Sequence, residues 1–110
     1  MGSDKLVVLT TTSSEDEAKS IATILVNERL AACVSIIPLV RSIYWWEGEV
    51  KDDRETMLIV KTDRERFEKL SQKTLEIHSY MNPEIIAIPV EMGNEKYLEW
   101  MDSVLSGERE

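Results

Sequence analysis

Residues 33–60, CVSIIPLVRSIYWWEGEVKDDRETMLIV, decide the fold. Cys33 to Ile37 and Val40 to Trp46 are rich in β-branched and aromatic residues, the composition of extended chain. Met57-Leu58-Ile59-Val60 is a short continuous apolar run and reads as a strand buried on both faces. Asp52-Asp53 between them is good turn chemistry, so the stretch predicts a β-hairpin. Pro38 interrupts its first arm. Proline cannot donate to a ladder, which marks an edge or a bulge there and predicts a long, bent strand.

Working outward, Leu6-Val7-Val8-Leu9 reads as another doubly buried strand, ended by Thr10-Thr11-Thr12. Ser14 and Glu17 have capping-box spacing, and Ala18, Ile21, Ala22, Leu25 and Val26 follow at helical intervals to near Arg29. On the far side, Thr62 and Glu65 repeat the capping-box spacing ahead of the stripe Phe67, Leu70, Thr74, Ile77. Pro83 then punctuates, and Glu84 to Val90 reads as a fourth strand with Pro89 on an edge. Asn94 is the expected N-cap of a last helix with the stripe Tyr97, Leu98, Met101, Val104, Leu105. A polar tail follows from Gly107. Met1 to Ser3 read equally as native residues or as an added remnant. The order β-α-β-β-α-β-α predicts an α+β ferredoxin-like sandwich with a C-terminal helix and a long protruding β-hairpin.

Composition bounds the function. The chain has 110 residues, 43% hydrophobic and 31% charged, which is one domain with a real core. Its formal net charge of −8 repels phosphate backbones, and no basic stretch reverses the sign, so nucleic acid is not an expected partner. The single cysteine cannot form an internal disulfide and points to a reducing, cytoplasmic setting. No apolar run approaches the roughly 20 residues that span a bilayer, so no membrane association is expected.

The hairpin is too long for so small a sandwich. Tyr44, Trp45 and Trp46 are three of the chain's seven aromatic residues. Tyr44 and Trp46 share one strand face and Trp45 takes the other. One small core cannot cover both, and exposed aromatic patches with unpaired edges mark self-association. The expected product is a closed homo-oligomer with these residues in its interface.

Several segments, in order, resemble the CutA divalent-cation tolerance family: Leu30-Ala31-Ala32-Cys33, Ile36-Ile37-Pro38, Ser42 to Gly48 with its Tyr-Trp-Trp-Glu-Gly run, Lys61-Thr62, His78 to Ile86, and Asn94 to Trp100. The likeness covers about Leu6 to Leu105. It implies a homotrimer related in shape to the PII signalling trimers, and a role in tolerance to copper and other divalent ions. Glu47, Lys61, Tyr80, Glu84 and Trp100 match family positions, which a trimer would converge either in an intersubunit cleft or as an ion-pair and aromatic network that locks it. Some family members carry a thiol at the end of the first strand and a second histidine just before the one matched by His78. Here those positions are Thr10 and Ile77, which depletes the soft ligand set.

Site chemistry by residue type is sparse. Cys33 and His78 are the borderline ligands that copper or zinc would prefer, but one of each makes no closed site. Cys33 reads first as a small core residue, and His78 reads equally as a helix C-terminal cap. Glu47, Glu49, Asp52, Asp53 and Glu55 suit hard cations or a solvated hairpin tip. No nucleophile elbow, phosphate loop or paired Cys/His motif is present, so no enzyme chemistry is expected. The expectation is a divalent-cation tolerance homotrimer with no obligatory cofactor and weak binding of Cu2+ or another divalent ion. The alternative is a PII-like sensor holding a small ligand in the cleft.

Overall fold

The computed structural model describes residues 4–108; Met1 to Ser3 lie outside them. The elements are β1 (Lys5–Thr12), α1 (Glu15–Asn27), β2 (Cys33–Trp46), β3 (Glu49–Asp63), α2 (Arg64–Ile77), β4 (Ile86–Pro89) and α3 (Glu95–Leu105). They form an antiparallel four-stranded sheet in the order β2-β3-β1-β4, the ferredoxin-like arrangement. Among the described residues no helix is long and apolar enough to cross a membrane.

Strand alternation places the core. Leu6 and Val8 of β1 and Leu58 and Val60 of β3 point to one face, where they bury against Ala18, Ile21, Ala22 and Leu25 of α1 and Leu70 of α2. A second cluster joins Ala32 to Met101, Val104 and Leu105 of α3. The C-terminal carbonyls of α3 receive Arg29 Nη1 at Val104 (2.7 Å) and Arg66 Nη2 at Leu105 (2.8 Å), cations where the helix dipole favours them. On the opposite face α3 meets the end around Lys5 and Lys61, through Asp102 and Tyr97. Val7, Leu9 and Ile59 are half-buried there, and Ile37, Ile86 and Ile88 are exposed.

The helix starts follow local chemistry. Ser14 caps α1 as expected, its Oγ accepting Glu17 N–H at 3.1 Å. Asn94 caps α3 in the same way, through Lys96 N–H. The cap of α2 is Asp63 rather than Thr62. Thr62 is fully buried inside β3 with its hydroxyl donating to Leu30 O, while the Asp63 carboxylate accepts Arg66 N–H at 3.0 Å.

Three boundaries differ from the sequence expectation. The hairpin turns at Glu47-Gly48, not at Asp52-Asp53, with Trp46 paired to Glu49. Both turn residues have positive φ (50° and 79°), the two-residue geometry whose twist matches the flanking strands. Asp52 and Asp53 lie within β3, opposite Ile43 and Ser42. β1 runs on through Thr12, and β4 begins at Ile86 instead of Glu84. Its pairing with β1 ends at Leu9, beyond which His78 meets β1 in place of a strand, its Nε2 2.8 Å from Thr11 O. Pro38 does mark a bulge, the register slipping between Ile37 and Val40.

Glu47 is a poor residue for φ 50°, a region that asparagine tolerates and glutamate does not. Glu47→Asn is therefore expected to stabilise the fold by about 0.5–1 kcal/mol, read as a higher urea midpoint at unchanged m-value. A lower midpoint would show that Glu47 makes contacts that outweigh its backbone strain.

Candidate functional site

The projecting arms of β2 and β3, the end of β1 and the 79–86 loop border an open cavity of about 910 Å3. Strand register dictates its lining. Val40 pairs with Glu55, Ser42 with Asp53 and Tyr44 with Lys51, so these residues share the face away from the helices. Trp46 follows on the same face, and Trp45 takes the other, as its alternation requires. Tyr44, Trp46, Glu55, Tyr80 and Glu84 all line the cavity.

The loop is held by His78. Its ring is completely buried, and its Nδ1 accepts Tyr80 N–H at 3.0 Å. An accepting Nδ1 places the proton on Nε2, which then donates to Thr11 O. Glu17 Oε2 accepts Ser79 N–H at 2.7 Å and lies 3.8 Å from His78 Nδ1. Burial would raise the Glu17 carboxyl, but the hydrogen bonds from Ser79 and Ser13 outweigh it and hold its pKa below the usual value. Tyr80, so placed, donates its hydroxyl to Glu55 Oε2 at 2.7 Å. Burial, then this bond to a carboxylate, pushes the Tyr80 phenol far up, so it stays a donor. Burial and the Glu55 charge also raise Glu84. The Tyr44 hydroxyl donates to Asp53, which raises the phenol pKa.

The predicted site residues fall at separate places in one chain. Tyr80 and Glu84 meet in the cavity. Lys61 stands 5.9 Å over the Tyr97 ring, which packs on Trp100 at 5.4 Å, at the opposite end of the sheet. Glu47 occupies the exposed hairpin tip. Cys33 lies beside Lys61, its Sγ 4.0 Å from Nζ. The structure does not bring Cys33 and His78 together, and both nitrogens of His78 are taken by backbone groups. This donor set does not fit a preassembled copper centre. Thr10, where some family members carry a thiol, is buried with its hydroxyl unpartnered among the described residues. The one cluster of three acids among the described residues, Asp4, Asp63 and Asp102, surrounds Lys5, whose ammonium lies 2.6 Å from both Asp4 and Asp102.

Sequence reasoning grouped Glu55 with the acids of the hairpin tip and missed its place in the cavity. The signal was present in the period-two alternation, since Glu55 shares a face with Met57 and Ile59, but a turn placed at Asp52-Asp53 put it beside a solvated loop.

Comparison with known proteins agrees with this architecture. The divalent-cation tolerance protein CutA of Thermus thermophilus is 50% identical over 95 residues, covering 86% of this chain and 92% of that protein. Its solved structure superposes with a TM-score of 0.85 over 87% of this chain and 93% of that one. The rice chloroplastic protein CutA 1 is 43% identical over 96 residues, covering 87% of this chain and 54% of that protein, so the chain spans about half its length. The family model described as CutA1 divalent ion tolerance protein matches residues 6–104, and the chain belongs to that family.

Proposed function

We propose that the protein acts in divalent-metal tolerance as a homotrimer, with weak binding of copper or another divalent ion. The observation that carries the assembly is the exposed apolar part of the sheet face turned away from α1 and α2. Ile37, Ile86 and Ile88 are exposed there, beside a projecting hairpin with Tyr44 and Trp46 on the same side. Trp45, 74% exposed, adds an aromatic patch on the other side of the hairpin. Apolar surface on both faces of one hairpin, next to the unpaired outer edge of β2, suits closure by further copies. Assembly would bring Glu47, Lys61 and Trp100 of neighbouring copies towards Tyr80 and Glu84. The single cysteine is consistent with a cytoplasmic setting.

Copper would meet individual side chains of the assembly, because His78 and Cys33 form no joint site. Native mass spectrometry of the untagged protein, with and without a few equivalents of Cu(II), tests both parts. The expected spectrum is a trimer that sheds copper on mild activation. A monomer would overturn the assembly. Three retained copper ions per trimer, lost in Cys33→Ser, would overturn weak binding. A second reading, a sensor for a small ligand, is favoured by the 910 Å3 cavity with its convergent polar groups.

A further inference from the structure

The projecting hairpin is held in register by a narrow margin. Up to Ile37 opposite Met57 the two arms pair residue for residue. There Pro38 and Leu39 together face Thr56, and pairing resumes with Val40 opposite Glu55. The extra residue is forced by the turn: residues 38–46 run out along β2, residues 49–56 return along β3, and the return is one residue shorter. Without the bulge, the register of Cys33 to Ile37 would continue to Ser42 opposite Asp52 and Trp45 opposite Glu49. Trp46-Glu47-Gly48 would then close the hairpin. That is the three-residue loop in which a type I turn is followed by glycine in the left-handed region. Gly48 already has φ 79°, and Glu47 would be relieved of φ 50°.

The side-chain pattern does not choose between the two. A one-residue slip turns every side chain to the other face. Observed on the face of Ile37 are Val40, Ser42, Tyr44 and Trp46; the slipped register would put Leu39, Arg41, Ile43 and Trp45 there. The sets match position by position: an aliphatic residue, a polar one, then two large apolar or aromatic ones. Ile43, Tyr44, Trp45 and Trp46 are all exposed, so the subunit core selects neither set. The observed register gains a bulge for Pro38, where its missing N–H costs no ladder bond, and the Thr56 hydroxyl donating to Pro38 O at 3.0 Å. Against it stand the bulge itself and the positive φ of Glu47.

We propose that the projecting hairpin is a two-register element whose register gates self-assembly. The observed register offers Tyr44 and Trp46 beside Ile37 for closure by further copies. The slipped one sets Arg41 beside Glu55 on that face, an ion pair that closure would have to bury. The gate rests on the homotrimer reading; the two registers do not.

Cross-strand disulfides read the register, because directly opposite residues can be bridged and residues on opposite faces cannot. In a Cys33→Ser background, Ser42→Cys with Asp53→Cys reports the observed register, and Ser42→Cys with Asp52→Cys the slipped one. Non-reducing peptide mapping gives the yields, and native mass spectrometry gives the subunit count. Each pair is compared with itself across three tips, so the loss of Asp52 or Asp53 cancels. Glu47→Thr puts a β-branched residue at positive φ, and Glu47→Asn puts a tolerant one there. Both lie at the exposed tip, where folding of the sandwich is not at risk. Glu47→Thr is expected to raise the 42–52 yield relative to the 42–53 yield about tenfold, and the monomer fraction with it; Glu47→Asn should lower both. A ratio that is the same in Glu47→Thr and Glu47→Asn would overturn the two-register element. A ratio that moves while every variant stays wholly trimeric would overturn the gate and leave the two registers standing. A parent chain that is monomeric throughout would overturn the homotrimer reading and the gate with it, and the disulfide ratio would still decide the registers.

Discussion

His78→Ala is expected to lower the unfolding free energy by about 3–5 kcal/mol, a loss typical of deleting a large buried side chain that also holds hydrogen bonds. The imidazole is wholly enclosed, and its two nitrogens tie Thr11 O to Tyr80 N. Its removal leaves a void and two backbone groups without partners, at the point where β1 runs past the end of β4. The same change releases Tyr80, so the bond to Glu55 should weaken with it. Urea denaturation reads the first effect, and tyrosine absorbance titration reads the second as a phenol that ionises nearer its ordinary pKa. An unchanged urea midpoint would mean that the ring does not hold the 78–80 turn. Any loss of metal binding in this variant has to be judged against that change in fold stability.

Lys5→Met is expected to cost about 2–3 kcal/mol at neutral pH, below the 3–5 kcal/mol typical of breaking a fully buried pair because the carboxylate partners are partly solvated. The lysine side chain is 5% exposed, and Asp4 and Asp102 contact its ammonium. Burial would lower the Lys5 pKa, but the hydrogen bonds to Asp102 and Asp4 more than offset it and the net shift is upward. The bond from Lys5 holds the Asp4 carboxyl below its usual value of 3.8. A depressed carboxyl contributes stability above its unfolded pKa and loses it as pH falls through the folded value. In Lys5→Met, Asp4 and Asp102 face one another without the ammonium while Asp63 keeps Arg66, and the penalty should shrink as acid protonates Asp4. Urea midpoints at pH 7 and well below pH 3.8 decide this. A loss equal at both would rule out carboxylate repulsion as its cause.

The element order was legible because each element carries its own period and its own cap, as Ser14 and Asn94 show. The hairpin turn was harder to read. Gly48 supplies one positive φ at no cost, but Glu47 is an unusual partner where asparagine or aspartate normally signals the turn, and Asp52-Asp53 offered the stronger local signal. At α2, Thr62 and Asp63 both have capping side chains. Only the tertiary fit, which buries Thr62 against Leu30, decides between them. The family resemblance rested on contiguous motifs and held over residues 6–104. The cavity was legible only in part, because it joins Glu55, Tyr80 and Tyr44 across chain separations that no local pattern spans.

The position of β1 has a consequence during synthesis. It is the second strand in from the β4 edge, and its partners are β3 and β4, from Lys5 opposite Asp63 to Leu9 opposite Ile86. A ribosome therefore releases Leu6-Val7-Val8-Leu9 long before either partner exists. At about 5–20 residues per second, the apolar strand waits roughly 3–10 s for Asp63 to emerge. The hairpin, by contrast, has its partners side by side and can zip from Glu47-Gly48 within about 1–10 μs of leaving the tunnel. The nascent chain thus presents a finished ribbon with a bare β3 edge, and the strand made first is the one that must find it.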